Sequence, residues 1–286
     1  MALAGVGSLA VHRSRKLIPE FRLHRPNSPV EAVALKAAAG ADAVFMAGGI
    51  DVVNRMKFGA PVSEVIHLGR LDDLNRIEER EGEVRLGALV THDRLAISPV
   101  IRARLPALAQ TWPDVANIRI RYKGTIGGNI MAGDPSYDFA LGAMAAGAQL
   151  HFLSCGGAAT ALPAADRVAK EAGLLTAISF ATRSTLRLIF DRSLRPIVSL
   201  ALGLDFIGGH IAGGRAAMGC AYLAPLAARL PIDEPLLPAE LARRAAPLAA
   251  AVAVGLPEPR GDHDGSSAFR RRMIEILLRR NLGAVA

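Results

Sequence analysis

The pattern of apolar and polar residues divides the amino-terminal part of the chain into a helix and two strands. The segment Ser28–Glu31 is typical of a helix start, because it combines a capping serine, a proline and a glutamate that can reach back, and Gly40 ends the apolar repeat. Short apolar runs at 43–47 and 64–68 predict two buried strands. The chain therefore opens with a βαβ-like unit whose first strand ends in a glycine pair.

The middle of the chain predicts a hairpin, several helices and one further strand. Two runs, 74–79 and 84–86, flank a turn at Glu81-Gly82 and read as antiparallel strands. Helix starts are predicted at Thr91 and Ser98, and residues 140–149 predict a buried helix before a strand at 150–153. Tyr122 and Lys123 are predicted to belong to a strand that leads to a second glycine pair, although contact with a ligand is an alternative.

The last third of the chain predicts an antiparallel pair followed by helices. Strands at 197–205 and 215–222 flank a glycine-rich run, 208–214, which we interpret as a hairpin turn rather than a phosphate loop. Helices are predicted at 238–254 and 267–282. The last of these places one apolar face opposite most of its arginines, and that face consists of Phe269, Met273, Ile276 and Leu277.

These segments predict an α+β fold. Residues 18–178 would form one domain with two subdomains, a βαβ-type part at 18–72 and a part with a mixed or antiparallel sheet at 73–178. Residues 179–286 would form a small α+β carboxy-terminal domain. Residues 1–17 predict a flexible extension, with a mitochondrial-type leader as the alternative; their charges follow the apolar part, which is the reverse of a secretory signal.

Composition excludes several classes of function. The longest apolar runs are shorter than the roughly 18 residues of a membrane-spanning helix. The net charge of +8 is spread along the chain and aromatic residues make up only 5%, so nucleic-acid binding is not expected. Cys155 and Cys220 are isolated, which suits a reducing cytoplasm and excludes an iron–sulfur cluster held by this chain alone. The histidines, His67 and His92 among them, lack the spacing of metal ligands.

Two glycine pairs are the candidates for binding a phosphate. The run Ala47-Gly48-Gly49-Ile50-Asp51 directly follows a predicted strand, and Thr125-Ile126-Gly127-Gly128-Asn129 adds a hydroxyl and an amide around a second pair. Backbone N–H groups next to glycine can approach a phosphate closely. Each pair alone is more often a plain turn. Asp134 and Asp138 follow the second pair, and Asp138 could accept hydrogen bonds from a ribose or an adenine, or could simply cap a helix.

In this order the motifs resemble the FAD-binding subunits of molybdenum hydroxylases. The resemblance rests on Ala-Gly-Gly-x-Asp at 47–51, Gly-Ala-x-x-Thr at 87–91, and Thr-Ile-Gly-Gly-Asn with Asp-Pro-x-x-Asp at 125–138. It covers roughly residues 20–282 and includes the medium chains of carbon monoxide dehydrogenases and the flavin part of xanthine dehydrogenases. It implies an extended FAD between two subdomains, with its pyrophosphate on the glycine runs.

The resemblance also implies individual contacts with FAD. The first glycine segment, the second one, Asp134 and Asp138 would line the dinucleotide, and Ala116 and Leu175 would lie near the flavin. A lysine of the family is replaced here by Arg187, and residues 162–191 depart from the family pattern, which leaves the flavin surroundings open. The expected contacts are Phe45, Met46, Ala47, Gly48, Gly49, Ile50, Asp51, Val52, Ala116, Thr125, Ile126, Gly127, Gly128, Asn129, Asp134, Asp138, Leu175 and Arg187.

The function implied by the resemblance is electron transfer. A large partner subunit would carry a molybdopterin cofactor, a small one would carry [2Fe–2S] clusters, and FAD in this chain would pass electrons to quinone, NAD or oxygen. A dimer of heterotrimers is expected, with the arginine-rich last helix and residues 187–195 as docking candidates. No residue of this chain is expected to be catalytic. The alternatives are a stand-alone flavin oxidase and a scaffold subunit that no longer uses flavin.

Overall fold

A small parallel sheet covered by two helices forms the first layer of the protein. The computed structural model describes residues 18–112, 117–166, 173–182, 186–192 and 196–285, so the predicted extension at 1–17 lies outside the described residues. The strands run parallel in the order β1-β3-β2, and the predicted βαβ unit is confirmed. Its elements are β1 (Arg22–His24), α1 (Pro29–Ala39), β2 (Ala43–Met46), α2 (Ile50–Lys57) and β3 (Glu64–His67).

The two faces of this sheet pack against different helices. In β3, Val65 packs with Met56 of α2, whereas the next residue, Ile66, packs with Ala32 and Val33 of α1. Successive side chains of a strand point to opposite faces, so a sheet that is covered on both sides needs consecutive apolar residues. The predicted helix start is confirmed, because the Ser28 hydroxyl accepts the N–H of Glu31 at 3.1 Å.

A five-stranded antiparallel sheet and a group of short helices form the second layer. The strand order is β4-β5-β8-β6-β7. The strands are β4 (Ile77–Arg80), β5 (Glu83–Gly87), β6 (Gln149–Ser154), β7 (Ala159–Pro163) and β8 (Gly173–Ala181). The helices are α3 (His92–Ile97), α4 (Pro99–Arg104), α5 (Pro106–Thr111), α6 (Ile118–Lys123), α7 (Ile126–Ala132) and α8 (Asp138–Ala145).

Three predictions in this layer are wrong in detail. Leu74 lies in a 3-10 turn, Asp72–Asn75, so the first strand of the hairpin begins only at Ile77. Residues 122 and 123 end helix α6 and do not form a strand, because the Asn117 side chain caps the segment. The predicted buried helix ends at Ala145, and the residues up to 149 form a turn and the start of β6.

The carboxy-terminal part combines a four-stranded antiparallel sheet with three helices. The strand order is β12-β11-β10-β9, and the turn between β10 and β11 has positive φ at both Gly208 and Gly209, as a tight hairpin requires. The segment 238–254, predicted as one helix, forms two helices. Pro247 has no N–H group and its ring would clash with the carbonyl of Arg243, so a single continuous helix is disfavoured. The elements are β9 (Leu186–Asp191), β10 (Ser199–Ile207), β11 (His210–Gly219), β12 (Leu226–Arg229), α9 (Pro238–Arg243), α10 (Ala245–Gly255) and α11 (Ser267–Gly283).

Helix α8 joins the second layer to the carboxy-terminal sheet. All of its residues are buried, and it packs against the strands β9 to β12. The backbones approach so closely that a Cβ at Gly203 would lie 2.1 Å from the carbonyl oxygen of Ala145. Strand β8 runs across residue 178, where we predicted a domain boundary, and ends at Ala181. None of the helices in the described ranges has both the length and the apolar character that a membrane crossing requires.

The buried face of α11 differs from the predicted one. Phe269 is 45% exposed, whereas Arg270 is 1% exposed and Ile274 is 1% exposed. The Arg270 guanidinium donates to the carbonyl oxygens of Ile197 at 2.5 Å and Cys220 at 2.7 Å, and to Asp262 at 2.6 Å. A cation with these partners can occupy the core, so apolar spacing identified only part of the buried face: Leu277 is buried and Met273 packs against the core, whereas Phe269 is exposed.

We expect Arg270 to stabilise the carboxy-terminal part strongly. Arg270→Met keeps the length of the side chain but leaves buried carbonyl groups without donors, so the free energy of unfolding should fall by about 3 kcal/mol. Arg272→Met is the matched control on the same helix, because Arg272 is exposed and forms only a surface pair with Glu275. It should change stability by less than about 0.5 kcal/mol. Urea unfolding followed by circular dichroism measures both, and equal midpoints would contradict this role.

Candidate functional site

The first glycine turn presents free backbone N–H groups at the start of a helix. The turn joins β2 to α2, and Gly49 adopts a left-handed conformation with φ of 78°. The N–H groups of Gly49, Ile50 and Asp51 donate to no other residue in the described ranges of the chain. The positive end of the helix dipole adds to these donors. The arrangement therefore suits an anionic group such as a phosphate.

The second glycine turn uses its backbone N–H groups within the fold. Thr125 caps helix α7, and its hydroxyl accepts the N–H of Gly128 at 3.0 Å. The N–H of Ile126 donates to Val90 at 2.9 Å, and that of Gly127 donates to Ala88 at 2.9 Å. The fold therefore uses these backbone N–H groups, and the donation of hydrogen bonds by the Thr125 hydroxyl and the Asn129 amide to a phosphate or a ribose stays a prediction.

Close backbone contact explains why glycine occupies both turns. A Cβ at Gly48 would lie 1.7 Å from the carbonyl oxygen of Lys123, at the end of α6. A Cβ at Gly127 would lie 2.6 Å from both the Cβ and the carbonyl oxygen of Ala88. Real Cβ atoms do not approach other atoms so closely, so any side chain would push these segments apart. Gly48 thus lets the βαβ unit lie against the end of α6, and Gly127 lets α7 lie against the end of β5 within the second layer.

Two adjoining cavities lie along this contact. One has a volume of about 300 Å³ and is lined mainly by apolar residues, Leu175 among them; we call it the apolar cavity. The other, of about 350 Å³, contains the first glycine turn and Asp138; we call it the polar cavity. They share part of their lining, including Phe45, Val52 and Arg55. Together they form an elongated cleft whose size is within the usual range for ligand sites.

Most of the predicted site residues meet in this cleft. The first segment brings its residues from the end of β2 and the start of α2, and the second brings Thr125 and its neighbours from α7. The predicted residues that line one or both cavities are Phe45, Ala47, Gly48, Gly49, Ile50, Asp51, Val52, Thr125, Gly127, Gly128, Asn129, Asp138 and Leu175.

The remaining predicted residues do not line the cleft. Met46 packs with α2, and Ile126 is part of the core. The Asp134 carboxylate accepts the N–H and hydroxyl of Ser136, which stabilises the turn before α8. Arg187 lies on β9, donates to the carbonyl of Val285 at 3.3 Å and lines neither cavity, so its place near a flavin stays a prediction. Ala116 lies outside the described residues.

Sequence reasoning missed three charged or polar residues of the cleft. Arg55 lies one helical turn after Asp51 and forms an ion pair with it at 3.6 Å, a spacing that could have been noticed. Arg192 comes from the carboxy-terminal part and lies 3.3 Å from Asp138. His92 lines the polar cavity although it is only 2% exposed. No local pattern in the sequence marks the last two.

Burial changes the acid–base properties of this cleft. Burial raises the pKa of the Asp138 carboxyl, and the nearby Arg192 cation opposes that change. Burial also lowers the pKa of His92 to about 4, so its imidazole is neutral near pH 7. His92 lies against Trp112 and Phe139, and its Nδ1 has no hydrogen-bond partner in the described residues.

The lining of the cleft suits a dinucleotide in its chemistry. Each carboxylate of the polar cavity is already next to an arginine, Asp51 beside Arg55 and Asp138 beside Arg192. These pairs neutralise each other, so the free amides of the first turn remain as donors for a pyrophosphate. The apolar cavity on the other side suits a flat aromatic ring system. The residues present therefore fit the group that the resemblance implies.

The chain is similar to known proteins along most of its length. Residues 19–176 match the family described as the FAD binding domain in molybdopterin dehydrogenase. The carbon monoxide dehydrogenase medium chain of Afipia carboxidovorans is 32% identical over 278 residues, which cover 92% of this chain and 96% of that protein. The medium chain from Hydrogenophaga pseudoflava is 37% identical over 137 residues, a match that spans 47% of the length of each chain.

Solved structures give the same result for the fold. One match is a carbon monoxide dehydrogenase chain from Hydrogenophaga pseudoflava, in a form that lacks the Mo-pyranopterin moiety of the molybdenum cofactor. It superposes with a TM-score of 0.80 at 27% sequence identity, and the match covers 94% of the present chain and 98% of that chain. The reconstituted enzyme from Oligotropha carboxidovorans has a TM-score of 0.79 at 28% identity, covering 92% and 96%. The expected α+β fold is confirmed.

The buried neutral His92 predicts a loss of stability in acid. The unfolded chain binds this proton near pH 6.5 and the folded chain only near pH 4, so stability is full above 6.5 and falls between these values. Replacing His92 with leucine should reduce the difference in unfolding free energy between pH 7 and pH 4.5 by about 2 kcal/mol. The exposed His263 provides the control, and His263→Leu should keep the wild-type difference. An unchanged pH dependence in His92→Leu would show that folding does not lower the pKa of His92.

Proposed function

Because this chain belongs to the family of FAD-binding domains of molybdopterin dehydrogenases, we propose that it is the flavin subunit of a heteromeric molybdenum hydroxylase and passes electrons from [2Fe–2S] clusters to an external acceptor. The observation that carries the proposal is the cleft between the two glycine turns, where unpaired amides lie beside an apolar cavity. FAD, when bound, supplies the chemistry that links one-electron clusters to a two-electron acceptor.

The residues of this chain bind and position the dinucleotide in this proposal. The amides of Gly49, Ile50 and Asp51 hold the pyrophosphate by hydrogen bonds and by the dipole of α2. The ionised Asp138 accepts hydrogen bonds from hydroxyl groups at the polar end. Leu175 and its apolar neighbours exclude water from the other end of the cleft. No side chain needs to take part in a proton transfer, since the chain only relays electrons.

We infer partner subunits because this chain alone cannot hold the [2Fe–2S] clusters. Its two cysteines cannot hold a [2Fe–2S] cluster, which needs about four thiolate ligands. In the described residues both cysteines are unpaired, Cys155 exposed and Cys220 buried, which agrees with the proposed cytoplasmic location. We therefore assign the clusters to a small subunit and the molybdopterin to a large one, in a dimer of heterotrimers. The acceptor is quinone, NAD or oxygen.

The docking surface needs revision from the sequence-based expectation. The arginines of α11 are largely engaged within the chain: Arg270 is buried, and Arg271 donates to the carbonyl oxygens of Ala253, Leu256 and Pro257. Arg280 binds Asp191. These interactions stabilise the carboxy-terminal part, so the basic helix is not available as a whole to a partner. Residues 193–195 of the second candidate surface lie outside the described residues.

We expect the purified chain or its complex to contain FAD bound without a covalent link, and Gly48 to be needed for it. Gly48→Ala should reduce FAD occupancy roughly tenfold or more, because its Cβ collides with the Lys123 carbonyl and separates the two turns. Gly213→Ala is the matched control, because Gly213 lies outside the cleft and a Cβ there would have no atom within 4 Å, so it should leave the occupancy unchanged.

Flavin absorbance of the supernatant after acid precipitation measures the occupancy, and circular dichroism checks that each variant folds. Normal occupancy in a folded Gly48→Ala protein would show that the two turns are ordinary loops. Flavin that stays with the precipitate would contradict noncovalent binding. Absence of flavin from the folded wild-type protein would favour the scaffold alternative.

We also expect the FAD-loaded chain to be inactive alone. Oxidation of aldehydes or N-heterocycles with a dye acceptor should begin only when a molybdenum subunit and an iron–sulfur subunit are added, because this chain holds neither centre. The control is the same mixture without the present chain, which should transfer electrons poorly to the acceptor. Rapid turnover by the isolated chain would instead identify a stand-alone flavin oxidase.

A further inference from the structure

Arg192 brings the carboxy-terminal part of the chain into the polar cavity. It follows β9 directly, lines the cavity, and places Nη2 3.3 Å from Oδ2 of Asp138. Asp138 is the first residue of α8 and is only 7% exposed. Arg192 lies beyond residues 19–176, the part that matches the FAD-binding family. The wall of the cleft is therefore incomplete without a residue from outside that domain.

The residue before Arg192 is held by the last helix. The Asp191 carboxylate accepts two hydrogen bonds from Arg280, with Nε at 3.0 Å and Nη2 at 2.5 Å, and one from Asn281 at 2.5 Å. Consecutive residues at the end of a strand point to opposite sides. Asp191 thus faces α11 while Arg192 faces the polar cavity. A bidentate pair restricts orientation more than a single contact does.

The charges around Asp191 and Asp138 support a link between α11 and the polar cavity. Burial acts to raise the pKa of Asp191, but hydrogen bonds from Arg280 and Asn281 outweigh it, so the pKa is lowered and the carboxylate stays ionised. On the other side, burial disfavours the Asp138 carboxylate and the Arg192 cation counteracts that effect. An ionised Asp138 can only accept hydrogen bonds, which suits the hydroxyl groups of a ribose.

We propose that Arg192 is a residue of the dinucleotide site, and that α11 positions it through the Asp191–Arg280 pair. Arg192 holds Asp138 as an ionised acceptor for hydroxyl groups of the ligand. Asp191 and Arg280 do not touch the ligand and act as positioning residues. The inference rests on the proposed function, because it takes FAD as the ligand of the cleft, and it adds the carboxy-terminal helix to what determines FAD affinity.

The test is a double-mutant cycle on FAD affinity in the full chain. Apoprotein is titrated with FAD and binding is followed by flavin fluorescence. Arg192→Gln should weaken FAD binding roughly tenfold and Arg280→Gln roughly threefold to fivefold. The double variant should bind no more weakly than Arg192→Gln alone, because Arg280 acts through Arg192. Arg280→Lys, which keeps the charge but loses the bidentate geometry, should give an intermediate value.

Arg272→Gln is the matched control, since Arg272 lies on the same helix and pairs with Glu275 on the surface. It should leave the affinity unchanged. A general destabilisation by Arg280→Gln would add its effect to that of Arg192→Gln, and such additivity would overturn the positioning role. Unchanged affinity in Arg192→Gln, with FAD bound normally by the wild type, would overturn this inference alone. A wild-type chain that binds no FAD would remove the proposed function and the inference with it.

Discussion

The cleft exists because two pairs of main-chain segments touch where no side chain could fit. Gly48 lies against the carbonyl of Lys123, and Gly127 lies against Ala88. The first contact brings the βαβ unit against the second layer, the second packs α7 against the end of β5, and the cavities lie beside both contacts. If the segments were further apart, the amides at the start of α2 would face solvent, where water would compete for the ligand. Glycine is thus required at positions 48 and 127 because other backbone segments approach closely, and at position 49 because the backbone is left-handed.

The two glycine turns look alike in sequence but differ in chemistry. At the second turn the amides of Ile126, Gly127 and Gly128 donate hydrogen bonds within the fold. The amides of Gly49, Ile50 and Asp51 in the first turn have no acceptor among the residues that the structure describes. Paired carboxylates and arginines leave the polar cavity close to neutral. In the proposed function, recognition of the pyrophosphate therefore depends on backbone dipoles, which need no compensating charge and do not change with pH.

Local sequence patterns predicted most of the helices and strands. They did not predict which face of a helix is buried or which distant residues it contacts. The cap at Ser28, the βαβ opening and the hairpin at Gly208-Gly209 all depend on neighbouring residues, and each is confirmed. The buried face of α11 depends on carbonyl groups from residues 197 and 220, far away in sequence. Tyr122 and Lys123 were predicted to belong to a strand, yet an asparagine cap and a glycine end make the segment a helix. Arg187 was assigned by its place in the family, but it faces the carboxy terminus.

The sequence by itself determined the class of fold, the two glycine turns and the family, because these reside in short-range order and in motif spacing. Only the tertiary structure decided which backbone N–H groups of the two turns are available to a ligand. That depends on whether a carbonyl group distant in sequence, such as that of Ala88 or Val90, accepts their hydrogen bonds. It also decided that Arg192, His92 and Arg55 share one cavity with Asp138. Such groups come from separate layers, and only the packing of α8 between the sheets brings them within reach of one ligand.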